Sequence, residues 1–488
     1  MTAPVQLHNF VDGQWLDGVA DTVVSSSPAE PELVVAEGRM AGTAELDRAV
    51  AAAQRVKREW ARTPAHERGA ILVRAAGLVE NAAQDWGAEL ALEEGKTKPE
   101  GVGEVLRAAQ ILRYYGNEGD RDSGEVFSSP RRGERILVTR KPLGVVGVIT
   151  PFNFPIAIPA WKIAPALTYG NTVVWKPAST VPLLAMRLAQ ALADAGLPDG
   201  VLNLVIGGGA VGNHLVEHPG VDAVTFTGST GVGRKIAAAG AARGVPVQAE
   251  MGGKNAAVVL GDADLELAAE QVMLGAFRST GQKCTATSRL IVTGDIADDF
   301  LAELGKRASA LNVGNPLHDG VEMGPVVNAA ARTSIQAGID RAFDQGARHI
   351  AGGQPYVDGA LAAGFFVPPT IVELPSQVPD IWREELFGPV LAVRRAETVA
   401  EAFALSNDSE FGLSAAIFTQ DLTRTLDAID DIDVGILHIN SESAGADPHV
   451  PFGGAKKSGY GPKEQGRSTR EFFTHTTTVY LRGGEARV

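Results

Sequence analysis

Apolar positions change their period several times along this 488-residue chain, and the changes mark its elements. Near the start, Phe10-Val11 and Gln14-Trp15 flank Asp12-Gly13, a pattern that predicts a hairpin. From Thr43 onward Leu46, Val50, Ala53, Val56 and Trp60 recur at helical spacing. The helical pattern runs to about Gly95 and returns from Val105 to Tyr115. Residues 135–139 predict a strand, and 145–150 a second, fully apolar one. Strands at 172–175, 201–206, 223–227 and 245–250 then alternate with helices at 182–195 and 232–240. Gly196-Leu197-Pro198 stops the first of these helices. Strand, glycine turn and helix in alternation predict a doubly wound parallel sheet. A second α/β block is expected from about 253 to 448, and the Thr-, Val- and aromatic-rich tail 472–481 reads as a terminal strand with a partner. No internal repeat or low-complexity tract interrupts the pattern.

Composition narrows the classes. Hydrophobic content of 45% and charged content of 21% are those of an ordinary globular protein with a large core. A net charge of -14 argues against nucleic-acid or membrane-surface binding, although it leaves room for one local basic pocket. The start, Met1-Thr2-Ala3-Pro4, carries neither a basic run nor an apolar signal core. The uncharged stretch 142–161 is as long as a membrane span, but Pro142, Pro151, Pro155 and Pro159 divide it into strand, loop and helix start. One cysteine and no export signal fit a cytoplasmic protein.

That single cysteine, Cys284, sits in Gly281-Gln282-Lys283-Cys284-Thr285-Ala286-Thr287. It can form no internal disulfide and no thiolate cluster, so it is either a small buried hydrophobe or a nucleophile. Small neighbours leave room for a substrate beside the sulfur. Pro151-Phe152-Asn153-Phe154-Pro155 follows an apolar strand, and the prolines would hold Asn153 as an oxyanion donor or as a turn former. Lys176 and Ser179 end another strand, where such sheets bind ligands. Phe226-Thr227-Gly228-Ser229-Thr230-Gly231-Val232-Gly233 could cradle a pyrophosphate, but it matches neither GxGxxG nor the P-loop. Glu250, before Met251-Gly252-Gly253-Lys254, could be a general base. There is no GxSxG, HExxH or CxxC, the nine histidines read as scattered without ligand spacing, and no metal is expected.

Together these segments resemble the aldehyde dehydrogenase superfamily over essentially the whole chain. PFNFP at 151–155, KPAS at 176–179, FTGSTGVG at 226–233, EMGGK at 250–254, GQKC at 281–284, EELFGPV at 384–390 and PFGG at 451–454 follow in the family's order. Glu250 precedes Cys284 by 34 residues, a separation typical of that family. The resemblance implies that Cys284 attacks the aldehyde, Asn153 holds the oxyanion, Glu250 activates water and Glu464 assists a proton relay. It implies NAD or NADP, with Lys176 and Glu385 on the two riboses and Phe387 near the nicotinamide ribose. Gly209, Gly228, Ser229 and Val232 would line the pyrophosphate crevice, with Thr150, Pro151, Ser179 and Met251 also on the cofactor side.

Departures from the family pattern carry information. Ser179 stands where NAD-preferring relatives often have Glu, so NADP or dual use is expected. Phe152 stands where many relatives carry Trp, and Trp161 where succinic semialdehyde dehydrogenases tend to have Arg. Residues 153–167, 281–289 and 446–466 look most like α-ketoglutaric semialdehyde dehydrogenases, with Arg278 and Lys283 as candidate cations for an anionic substrate. A broad-specificity or succinic semialdehyde dehydrogenase is the alternative. A CoA-acylating relative typically lacks the Glu at position 250, and a Cys-dependent esterase is the reading from another class. The expected fold is α/β, with a cofactor domain (1–119 and 142–252), a catalytic domain (253–458) and an oligomerisation β arm (120–141 and 472–488). Such an arm implies a homodimer or homotetramer.

Overall fold

The computed structural model describes residues 3–119, 121, 124–375 and 377–484. Parts of the expected arm, residues 120, 122, 123 and 485–488, lie outside the described residues, as do Met1 and Thr2.

Five short apolar strands are buried on both faces, so they pair in parallel and need helical crossovers between them. In spatial order they are Val247–Glu250, Ala223–Thr227, Val145–Ile149, Thr172–Lys176 and Leu202–Leu204. The chain starts at Val145–Ile149, winds two strands to one side and then returns to build two on the other. The helices Ala157–Thr168, Leu183–Asp194, Gly209–Glu217 and Thr230–Arg243 fall in the crossovers. Antiparallel pieces close both edges. One is the hairpin Asn9–Val11/Gln14–Leu16, turned by Asp12 and Gly13 at φ 54° and 77°, and the other is Gly459–Tyr460. The helix Thr43–Arg62 packs over this sheet through Leu46, Val50, Ala53 and Trp60, the face that the helical spacing selects.

A second, seven-stranded sheet is ordered Arg348–Ala351, Thr370–Glu373, Val390–Ala396, Thr287–Thr293, Asn255–Val259, Ser414–Phe418 and Ile436–Ile439. All of its pairs are parallel except the first. The last strand is an edge. A third sheet joins Gly124–Ser128, Glu134–Pro142 and Thr474–Arg482 in antiparallel register.

The sequence places the tail strand from residue 472, and the structure corrects this. Phe472 and Phe473 close the short helix Thr469–Phe473, and the strand starts at Thr474. The reason is burial. Adjacent strand residues face opposite ways, whereas both rings are buried here, 4.8 Å apart and edge-on. The uncharged stretch 142–161 is a strand, a loop and a helix start. No helix among the described residues is long and apolar enough to cross a membrane.

Candidate active site

Parallel strands direct all their carboxyl ends to one edge of the sheet, and ligand crevices form there. Thr150, Pro151 and Asn153 follow Val145–Ile149. Lys176 and Ser179 follow or end Thr172–Lys176, Gly228 and Ser229 follow Ala223–Thr227, and Glu250 ends Val247–Glu250. The crevice residues fit a dinucleotide. Gly208, Gly209 and Gly231, at the starts of two helices, have open space where a Cβ would stand. Thr227 and Thr230 bury hydroxyl oxygens that have no partner within the protein. Lys176 is buried, donates to the Pro177 carbonyl at 2.9 Å, and is brought down to about 8 by that burial. Such an amine is poised to meet an anion or a sugar hydroxyl. Ser179 is half-buried beside it, and Ser229 and Val232 are exposed.

Two expected cofactor residues have their side chains engaged by the protein. Met251 packs beneath the helix Thr230–Arg243, where a Cβ on Gly233 would lie 2.6 Å from its sulfur. Thr150 accepts a hydrogen bond from the Trp175 indole at 2.9 Å.

The second sheet supplies the cysteine. Ser279, Thr280 and Gly281 have φ of 51°, 53° and 67°, three left-handed residues in a row. For Ser and Thr that costs roughly 1–2 kcal/mol each, so other contacts must hold the turn. Glu100 accepts from the Ser279 N–H at 2.7 Å, and the Thr280 hydroxyl donates to the Gly324 carbonyl at 3.1 Å. Gly281 is required twice over: its φ is positive, and a Cβ there would stand 2.3 Å from the Gly388 carbonyl oxygen. The turn delivers a half-buried Cys284 to the wall of a cavity of about 360 Å³. Burial pushes its thiol up to about 12, with Glu250 and Glu385 adding to the effect and the Thr285 N–H opposing it. The resting sulfur is therefore a protonated thiol.

Asn153 is buried, and its side-chain amide donates to the Gln282 carbonyl at 2.9 Å. An amide NH₂ has two hydrogens, so one fixes the group and the other stays available. The Glu250 carboxylate accepts the Gly454 N–H at 3.1 Å and packs where a Gly453 Cβ would come within 2.3 Å of its oxygen. Burial, then the nearby Glu464, raise the Glu250 carboxyl well above its usual range, against the pull of Gly454, Lys463 and Lys162. Glu464 is buried and ion-paired to Lys162, with its second oxygen unpartnered. Glu385 accepts the Gly253 N–H at 3.0 Å and is raised to about 7 by burial. Phe387, at φ 54°, sets its ring edge-on to Phe152 at 5.8 Å.

Arg278 and Lys283 both line the Cys284 cavity, and both already have carboxylate partners. Glu442 lies 3.4 Å from Arg278 and 3.5 Å from Lys283, and Glu100 lies 3.8 Å from Arg278. Sequence reasoning missed Arg107, whose partner Asp447 at 3.1 Å is outside the cavity lining. It also missed Lys96, Glu104 and Lys162, all buried. A charged residue inside an apolar helical run, as Lys162 is, was the available signal. The reading of the histidines is corrected as well. His214 and His218 stand four apart at one helix end and converge on Asp47 at 2.6 and 3.4 Å. His218 Nδ1 accepts the Gly220 N–H at 2.9 Å, so its proton sits on the nitrogen facing Asp47, the wrong tautomer for a ligand.

A thiol raised to about 12 has a simple consequence. In the cofactor-free protein, the rate of Cys284 alkylation by iodoacetamide should still be climbing tenfold per pH unit at pH 9. A plateau at the free-thiol pKa of about 8.5 would overturn this account of the resting site.

Residues 15–479 match the family model described as the aldehyde dehydrogenase family. The chain is 44% identical to the α-ketoglutaric semialdehyde dehydrogenase of Bacillus subtilis (strain 168), over 97% of this chain and 98% of that one. It is 39% identical to the 2,5-dioxopentanoate dehydrogenase of Saccharolobus solfataricus, over 96% of this chain and 98% of that one. Among solved structures, it superposes on a betaine aldehyde dehydrogenase from Staphylococcus aureus in complex with NAD+, with a TM-score of 0.94 and 31% identity over 97% and 94% of the two chains. A second solved structure, from Burkholderia cenocepacia, gives a TM-score of 0.95 at 38% identity over 98% and 97% of the two chains. With these matches over nearly its whole length, the chain belongs to the aldehyde dehydrogenase family and is an oxidoreductase of that fold.

Proposed function

We propose that this protein oxidises an anionic semialdehyde, α-ketoglutaric semialdehyde, to 2-oxoglutarate with NADP or NAD. The observation that carries the reading is one cavity lined by Cys284 and by Arg107, whose partner Asp447 lies outside the lining, together with Arg278 and Lys283, which share Glu442. Relatives named for this substrate, at 44% and 39% identity, support it. An aldehyde in the cavity meets Cys284, whose thiol gives up its proton to solvent as Sγ adds to the carbonyl carbon. The free hydrogen of the Asn153 amide and the Cys284 N–H receive the oxyanion of the thiohemiacetal. Bound NAD(P) supplies the hydride acceptor, and a thioester on Cys284 remains. Glu250 then takes a proton from water, whose oxygen attacks the thioester and releases the acid. Its raised pKa makes it the stronger base toward that water. Glu464, paired with Lys162, stands next in line for that proton.

The first sheet, with 1–119 and 142–252, is the cofactor domain, and 253–458 is the catalytic domain. Lys176 and Glu385 would hold the riboses, Phe387 would pack near the nicotinamide ribose, and Gly209, Gly228, Ser229 and Val232 would line the pyrophosphate crevice. Thr150, Pro151 and Met251 would border the cofactor, the side chains of Thr150 and Met251 being engaged by the protein. At Ser179 no carboxylate repels a 2′-phosphate, which favours NADP. The sheet of 124–142 and 474–482 is an oligomerisation arm. Val126, Phe127, Tyr480 and Leu481 are exposed on it, and the helix Leu422–Asp431 exposes Leu422, Leu426 and Ile429. Apolar surface of this extent marks an interface with a second copy. A reducing compartment such as the cytoplasm keeps Cys284 a thiol.

Glu250→Gln should leave the first NAD(P)H burst intact and slow steady turnover at least 100-fold, on the general-base scale of about 10²–10⁴. Stopped-flow absorbance at 340 nm reads both phases, and unchanged turnover removes Glu250 from the role. Steady-state assays with 2,5-dioxopentanoate, succinic semialdehyde and an alkanal should show the highest kcat/KM for the first, with NADP at least equal to NAD. Preference for the alkanal sinks the anionic pocket, while ester hydrolysis without aldehyde oxidation favours the esterase. Light scattering should give a dimer or tetramer mass, and a monomer would remove the arm's role.

A further inference from the structure

Lys96 and Glu104 are ionisable residues buried at the cavity wall, yet the reaction steps above use neither. Burying a charge pair is costly and rarely adds net stability, so its presence needs a reason. Most of their contacts converge on one loop. Lys96 Nζ donates to the Asn153 main-chain carbonyl at 2.7 Å and to Glu104 at 2.6 Å. It also lies 4.2 Å from the centre of the Phe154 ring. The other Glu104 oxygen accepts the N–H groups of Ile156 at 3.1 Å and Ala157 at 3.2 Å. One ion pair thus grips the loop at both ends, Asn153 by its carbonyl and Ile156-Ala157 by their amides. Glu94 lies 3.8 Å from Lys96. Burial works against the Lys96 charge, but Glu104 and Glu94 outweigh it and keep the ammonium charged.

The pair comes from a different part of the fold from the loop. Glu104 lies within the helix Lys98–Gly116, and Lys96 lies just before it. The same helix start carries Glu100, whose carboxylate holds the left-handed Ser279. We propose that Lys96 and Glu104 are positioning residues that fix the Asn153 main chain, so that its amide reaches both the Gln282 carbonyl and the oxyanion formed at Cys284. Without the clamp the loop keeps its prolines and its apolar packing but loses the contacts that set the height of Asn153 over the sulfur. Displacements of about 1 Å in such a group can cost on the order of 100-fold in rate.

This rests on the assignment of Asn153 to the oxyanion, and the test separates the two. Lys96→Met alone leaves Glu104 unpaired in the interior and can unfold the protein. Lys96→Met/Glu104→Gln removes both charges at nearly constant volume and keeps Glu104's acceptor oxygen, so it is the working variant, with Lys96→Arg as the conservative one. The double variant should keep its Tm within a few degrees, its NAD(P) affinity and its Cys284 alkylation rate, while kcat falls roughly 10- to 100-fold, the scale of such a displacement. Lys96→Arg should recover part of the loss. The decisive measurement is a cycle with Asn153→Ala. Asn153→Ala should cost at least 100-fold in the wild type, the scale of a lost oxyanion donor, and less than 10-fold in the double variant, because the donor is already misplaced there. Near-normal turnover of Asn153→Ala in the wild type sinks the oxyanion assignment. A full, additive Asn153→Ala loss in the double variant, or a folded double variant with unchanged kcat, sinks the clamp and leaves that assignment standing.

Discussion

Parallel pairing of the buried strands is the constraint on which the rest of this structure depends. Strands without a polar face cannot lie at a solvated surface, so helices must cover both sides and every connection must cross over. All carboxyl ends then point the same way. The loops after Val145–Ile149, Thr172–Lys176, Ala223–Thr227 and Val247–Glu250 meet along one edge for that reason. The chain reverses its winding beside Val145–Ile149, which opens the crevice between neighbouring loops.

The site is assembled from loops of both large sheets. Asn153 comes from the first sheet and Gln282 from the turn that enters the second, and a single hydrogen bond of 2.9 Å joins them. Glu250 ends a strand of the first sheet, yet its carboxylate is held by Gly454, beyond the last strand of the second. The left-handed turn before Cys284 is maintained from outside by Glu100 and Gly324. Strain at the nucleophile is thus balanced by contacts from elements far away in sequence, which is how a rigid site is kept in an unfavourable backbone conformation. Burial raises both the Cys284 thiol and the Glu250 carboxyl, so the interior disfavours a charge on either group.

Much of the architecture was legible from periodicity. The strand at 223–227 and the hairpin around Asp12-Gly13 match the structure closely, because an apolar run bounded by glycine turns admits few other forms. Phe472 was misread since β propensity cannot tell a strand from the buried end of a short helix. Cys284, Glu250, Asn153 and Lys176 could be singled out by motif and strand end. Lys96, Glu104 and Arg107 could not, because a charged residue in or beside a helix looks the same whether it faces water or a cavity.

The sequence by itself determined the order of elements, the parallel sheets and the family, since local periodicity and motif order survive without any long-range contact. Which carboxylate each of the cavity's cations meets is settled only in the folded chain. Arg278 and Lys283 share Glu442, 164 and 159 residues away, whereas Arg107 is matched by Asp447, a carboxylate outside the cavity lining. Tertiary structure likewise decided that Lys96 reaches the Asn153 carbonyl, 57 residues away. Such pairings depend on distances of a few ångströms between segments that meet only when the chain is folded, and no local pattern encodes them.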